Sequence, residues 1–175
     1  VTGPFRATAV NRGTDPGEPL VLRVLWPLLI GLCVLWPALA SAQPVPPTPR
    51  QLTVFDGLPS NTVNRMAEDR FGYLWIATND GLARYDGRNY RIWRAEDGLR
   101  DNRIWTVLAD ARNQLWIGTE NAGLVRLSAD RRQMHFYDRA SQPLLASNTV
   151  WSVASTPDGA IWFGTYEGGL YRLDA

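Results

Sequence analysis

Few side chains in this chain have the type and spacing for chemistry, and the spacing argues against most of it. General acid–base hydrolysis needs two carboxylates in a fixed relation. The nearest candidate is Asp69-x-x-Gly72-x-x-Trp75. It returns as Asp110 and Trp116 with Asn113 in place of the glycine, and again with Thr156 where the acid should stand. An acid that lapses in one copy, with no second carboxylate recurring beside it, does not describe a catalytic pair. Asp80, Asp86 and Asp97 each precede a glycine. There an Asp bonds its own backbone and tolerates tight-turn geometry, a simpler account than calcium ligation. His135 is the single histidine and Cys33 the single cysteine, and no acid cluster repeats. Hence no catalytic residue, metal or cofactor is expected, and His135 reads as a residue of an outer strand.

The aromatic residues remain. Trp75, Trp116 and Trp162 each stand fourteen residues after an asparagine (Asn61, Asn102, Asn148) and three before a threonine (Thr78, Thr119, Thr165). A Gly-Leu and an Arg follow: Gly81-Leu82…Arg84, Gly123-Leu124…Arg126 and Gly169-Leu170…Arg172. The tryptophans are spaced by 41 and 46 residues, a period that marks a repeat architecture. A tryptophan at an identical position in every copy is read as packing, so Trp75, Trp116 and Trp162 are expected in the core. Trp105 and Trp151 stand three residues after the repeated asparagine, where the first copy has Asn64. These three are the candidate ligand contacts.

The elements that must position them can be read from one copy. Thr62 to Glu68 alternates weakly as an inner strand, Asp69 to Gly72 turns, and Tyr73 to Thr78 is β-branched and aromatic. Asn79-Asp80-Gly81 turns again before a third strand, Leu82 to Tyr85. Asp86-Gly87 is a strong hairpin signal, and Asn89 to Arg94 makes a fourth strand with Tyr90 and Ile92 on one face and Trp93 on the other. No window has the apolar spacing of a helix. Leu74-Trp75-Ile76, Leu115-Trp116-Ile117 and Ile161-Trp162-Phe163 carry apolar side chains on both faces and must be covered on both. Four short antiparallel strands per copy, packed face to face, describe β-propeller blades. The expected class is all-β, with about three blades of an incomplete ring at residues 60–95, 101–139 and 147–175.

The N-terminal part differs in composition. Residues 1–20 are rich in Gly, Pro and polar side chains and read as a mis-assigned leader, with translation starting at Val21 or Val24. Residues 21–42 read as a signal peptide: an apolar run ends in Ala40-Ser41-Ala42, so cleavage is expected between Ala42 and Gln43. Leu32 before Cys33 is too large for lipoprotein processing. Residues 43–51 form a Pro-rich tether, and residues 52–175 the partial propeller. Leu52 to Phe55 occupies the place of a fourth strand completing another blade, because Leu52 precedes Gly57 by the interval at which Trp93 precedes Gly98. All 18 basic residues are Arg, and they offset 17 acids to a net charge of +1. That balance argues against a nucleic-acid surface.

Asn-x-Val/Ile, a turn, Leu-Trp-Ile-Gly-Thr and then Gly-Leu-x-Arg resembles the two-component regulator propeller repeat. Residues 56–63 (DGLPSNTV) and 74–87 (LWIATNDGLARYDG) are similar to its opening blades. Ala77 departs from the usual glycine, kept as Gly118 and Gly164. The resemblance implies an exported, periplasmic sensor region of an inner-membrane protein, with an unknown small-molecule or glycan ligand. Its remaining blades and output domains would lie elsewhere in the same chain, with a homodimer in the full-length protein. The implied output is a histidine kinase, often hybrid; the alternatives are a diguanylate cyclase, or a secreted propeller glycosidase or binding scaffold. The Asp69, Gly72, Trp75 spacing also faintly resembles the Asp-box turn of sialidase-like propellers.

Overall fold

The computed structural model describes residues 46–174; the leader, the signal-peptide segment and the cleavage pair Ala42 and Gln43 lie outside the described residues. Among the described residues eleven strands follow in chain order. The first sheet holds β1 (Val63–Glu68), β2 (Leu74–Thr78), β3 (Gly81–Tyr85) and β4 (Tyr90–Trp93). The second holds β5 (Ile104–Ala109), β6 (Leu115–Thr119), β7 (Leu124–Leu127) and β8 (Met134–Tyr137). The third holds β9 (Val150–Ser155), β10 (Ile161–Thr165) and β11 (Gly169–Leu173). Within each sheet the strands are antiparallel and ordered as in the chain. Sheets meet along their first strands, β1 with β5 and β5 with β9. This is the arrangement of blades around an axis.

The alternation of side chains explains how the blades stack. On β2, Trp75 and Ala77 point into a core shared with Ile104, Leu115 and Ile117 of the second blade. Ile76, between them, points the other way and packs with Leu58 and Ala83, backed by Tyr90 and Ile92. One blade on, Trp116 and Leu124 pack with Val150, Ile161 and Phe163 of the third. The central strands β2 and β6 are thus apolar on both faces because each is covered on both.

The segment Leu52–Phe55 is a correction. It is not a strand: Val54–Asp56 forms a 3-10 turn capped by Thr53. Its amides are satisfied locally. Thr53 N donates to Asp56 Oδ2 at 2.8 Å, Val54 N to Asn61 Oδ1 at 3.0 Å and Phe55 N to Thr53 Oγ1 at 3.3 Å. Gly57 closes the turn at φ 104°, a conformation that favours glycine. The register with the second copy still holds, because Ala95–Asp97 is the same 3-10 turn and Gly98 ends it at φ 101°.

Candidate functional site

The three candidate ligand contacts share one backbone feature. In β1 the register passes from Val63↔Thr78 to Arg65↔Ala77, so Asn64 is an extra residue opposite no partner. In β5 it passes from Ile104↔Thr119 to Thr106↔Gly118, leaving Trp105 unpaired, and in β9 Trp151 lies between Val150↔Thr165 and Ser152↔Gly164. Each is the bulged residue of a first strand. A bulge takes one residue out of the ladder and re-aims its side chain, here on the strands that line the inner edges of the blades.

The bulges lead to different ends. Asn64 Nδ2 donates to Asn79 Oδ1 at 2.9 Å and to Ile104 O at 2.8 Å, tying the first blade to the second. The N–H groups of that amide are thus engaged within the fold. Trp105 is half-buried, with its ring centroid 6.1 Å from that of Trp151 at an interplanar angle of 59°. Trp151 is 53% exposed and lies 5.2 Å from Tyr166, itself 46% exposed. The indole Nε1 of Trp105 is buried without an acceptor among the described residues. A row of three aromatic rings thus runs along the inner edges of the second and third blades. Tyr166, in the turn after β10, completes it; nothing in its spacing marks it in the sequence.

The repeat tryptophans are placed differently. Trp75 and Trp116 are buried, and each indole N–H donates to a carboxylate: Trp75 Nε1 to Asp69 Oδ2 and Trp116 Nε1 to Asp110 Oδ2, both at 2.9 Å. Trp162 departs from the core expectation. It is half-buried, with Arg172 5.7 Å from its ring, because no further sheet among the described residues covers that face.

Asp69 and Asp110, the residues nearest to a catalytic motif, are therefore turn anchors. Asp69 Oδ1 also accepts from Phe71 N at 2.9 Å and Tyr73 N at 3.2 Å, and Asp110 Oδ1 from Gln114 N at 2.8 Å. Asp69 has a further partner absent from the sequence reading. Arg131, 62 residues on in the β7–β8 turn, donates from Nη2 to Asp69 Oδ2 at 3.1 Å, lies 5.0 Å from the Trp75 ring, and binds Asn113 O at 2.6 Å. Burial pushes the Asp69 carboxyl up, but the hydrogen bonds from Trp75, Phe71, Tyr73 and Arg131 outweigh it and hold the pKa below the ordinary carboxylate value.

The remaining repeated residues close turns. Asn61, Asn102 and Asn148 accept through Oδ1 from Val54 N, Ala95 N and Arg139 N at 3.0, 2.8 and 2.8 Å. The backbone oxygens of Asn102 and Asn148 accept from Gly81 N and Gly123 N of the preceding blade. Asp86 accepts from Arg88 N and Asn89 N within its own turn, and Asp80 pairs with Arg94 at 3.0 Å. His135 is exposed on β8, edge-on to Tyr137.

Residues 57–80, 98–121 and 144–167 match the family described as Two component regulator propeller. These are two-component regulator propeller repeats. Each matched segment runs from the end of one blade through the first two strands of the next. The chain is 26% identical, at a TM-score of 0.64, to the extracellular domain of BT3049 from B. thetaiotaomicron, described as a hybrid two component system; the match covers 71% of this chain and 18% of that one. The extracellular domain of BT4673 from the same organism, also described as a hybrid two component system, shares the fold at 23% identity and a TM-score of 0.58, over 73% of this chain and 17% of that one. Histidine kinase P4 of Formosa agariphila is 38% identical over 45 residues, 26% of this chain and 3% of the kinase. This chain spans less than a fifth of each of these relatives.

Proposed function

We propose that this chain is part of the exported, ligand-sensing propeller of a membrane-spanning signal-transduction protein whose output is a histidine kinase. The observation that carries the reading is the match of three register-aligned propeller repeats, together with the likeness to the extracellular domain of BT3049. The apolar run before Ala42 supports export of the chain. The aromatic row of Trp105, Trp151 and Tyr166 supports a ligand with a flat apolar face, such as a sugar ring, because exposed aromatic faces stack on such surfaces. The use of Asp69 and Asp110 as hydrogen-bond anchors weighs against the glycosidase alternative.

The test is made in a Gram-negative host. A fusion of residues 1–175 to an alkaline phosphatase lacking its own signal is expected to be active, and N-terminal sequencing is expected to begin at Gln43. An inactive fusion retained in the cytoplasm would remove the export part of the proposal. On the natural full-length protein, autophosphorylation that responds to an added oligosaccharide would support the kinase output; glycoside hydrolysis would favour the glycosidase.

A further inference from the structure

The first strands of neighbouring blades meet at two places, and the two contacts are made differently. At the first, the bulged Asn64 donates from Nδ2 to Ile104 O at 2.8 Å. Beside this bulge Arg65 faces Ala77, whose Cβ is accommodated in the core shared with Ile104. At the second, Trp105 stands where Asn64 stood and Val150 where Ile104 stood. The Trp105 Nε1 has no acceptor among the described residues, so no hydrogen bond from the bulged side chain fixes this gap. Gly118 stands where Ala77 stood. A Cβ there would lie 2.5 Å from Thr106 Cγ2, 2.6 Å from Val150 O and 2.9 Å from Val150 Cγ1, closer than side-chain carbons come to their neighbours. Thr106 follows Trp105 in its strand, and Val150 precedes Trp151. One missing methyl thus sits beside both strands that carry the indoles.

We propose that Gly118 is the positioning residue of the aromatic row. Without a Cβ it lets the third blade close on the second, and this approach fixes the spacing of Trp105 and Trp151, whose ring centroids are 6.1 Å apart. The role rests on the reading of these two rings as a ligand face, and it supplies what sets the width of that face. The first interface needs no such approach, because Asn64 holds Ile104 O by a hydrogen bond beside a residue that carries a Cβ. The obstacles to a methyl at position 118 differ in kind. Thr106 Cγ2 is the end of a side chain and is removed by Thr106→Ala. Val150 O is backbone, and it retreats only with its strand, which takes Trp151 along. Residue 118 thereby tunes the ligand face without touching a ligand.

The spacing is read without ligand, so the result does not depend on whether the rings bind a sugar. In the full-length protein, the far-ultraviolet circular dichroism of the parent minus that of Trp105→Phe isolates the exciton couplet of Trp105 with the neighbouring indole. The same difference is taken in each variant background, below its melting temperature. Opening the 2.6 Å approach to the 3.4 Å of an ordinary contact widens the gap by 0.8 Å. Coupling between the indole transition dipoles is Coulombic and falls with the cube of their separation, so Gly118→Ala is expected to weaken the couplet by about a third. Adding Thr106→Ala is expected to raise the melting temperature again while the couplet stays weak, because the contact with Val150 O persists. Ala77→Gly, at the hydrogen-bonded interface, is expected to leave the couplet unchanged. A couplet absent from the parent, kept at parent strength in Gly118→Ala, or restored by Thr106→Ala would make Gly118 a packing residue only and overturn the proposal. Equal weakening in Ala77→Gly would do the same, as would failure of both alanine variants to fold, since residue 118 would then hold the fold and not the spacing.

Discussion

At the scale of single residues, the tightest unit is Asp69 with Trp75 and Arg131. The ion pair is buried, with side-chain exposures of 1% for Asp69 and 10% for Arg131. Removing one partner of such a pair leaves the other charge without compensation, at about 3–5 kcal/mol. Asp69→Asn should therefore lower stability by about that amount, measured by denaturant unfolding, whereas Asp86→Asn, in an exposed turn, should change little. A pH titration supplies the sign. Because folding depresses the Asp69 pKa, its contribution is complete above the unfolded carboxyl value near pH ~4 and is lost as pH falls through the folded value. Asp69→Asn should abolish that part of the acid sensitivity; identical acid profiles for the two proteins would remove Asp69 from the account. The tryptophans divide similarly. Trp75→Ala and Trp116→Ala should each cost about 3–5 kcal/mol, and Trp162→Ala less, since one face of its ring is open. The spacing Asp69-x-x-Gly72-x-x-Trp75 is visible in the sequence, but the indole–carboxylate bond it holds is not. Arg131 was not legible, because its partner is 62 residues away across a blade interface.

At the scale of elements, alternation and turn residues made the strands of the first blade readable nearly to their ends: Asp86-Gly87 marks a hairpin and Leu74-Trp75-Ile76 a strand covered on two faces. The bulges were not readable. An extra residue in a first strand leaves the spacing of Asn61, Asn102 and Asn148 to the tryptophans unchanged, and appears only when the facing strand is present. The glycine after the Leu-Trp-Ile run of the second blade has a steric reason that the facing blade supplies. At Gly118 an added Cβ would lie 2.5 Å from Thr106 Cγ2 and 2.6 Å from Val150 O, backbone of the next blade. Gly118→Ala is thus expected to destabilise by about 1–3 kcal/mol, seen as a lower midpoint in a urea melt. The buried Ala77 at the equivalent place in the first blade shows that an extra methyl is accommodated there. Leu52–Phe55 misled because Leu52 precedes Gly57 by the interval at which Trp93 precedes Gly98, which suits a fourth strand, while Thr53, Asp56 and Asn61 satisfy its amides in a turn.

At the scale of the whole molecule, the blades are a frame that carries side chains on bulged first strands toward one inner edge. The frame is held by Trp75, Trp116 and the aspartates below them. The proposed ligand face is held by Trp105, Trp151 and Tyr166, and the two sets share no hydrogen bond. That separation is the central claim, and single mutants of the full-length protein test it most directly. Melting and ligand-dependent autophosphorylation are measured on the same preparations of Trp116→Ala, Trp105→Ala and Trp151→Ala. Trp151→Ala should lower stability by about 1 kcal/mol or less and Trp105→Ala somewhat more, with basal phosphorylation kept and the ligand response lost in both, while Trp116→Ala unfolds early. If Trp105→Ala and Trp151→Ala melt as early as Trp116→Ala, or respond to ligand as the parent does, the aromatic row is packing and the sensing face lies elsewhere.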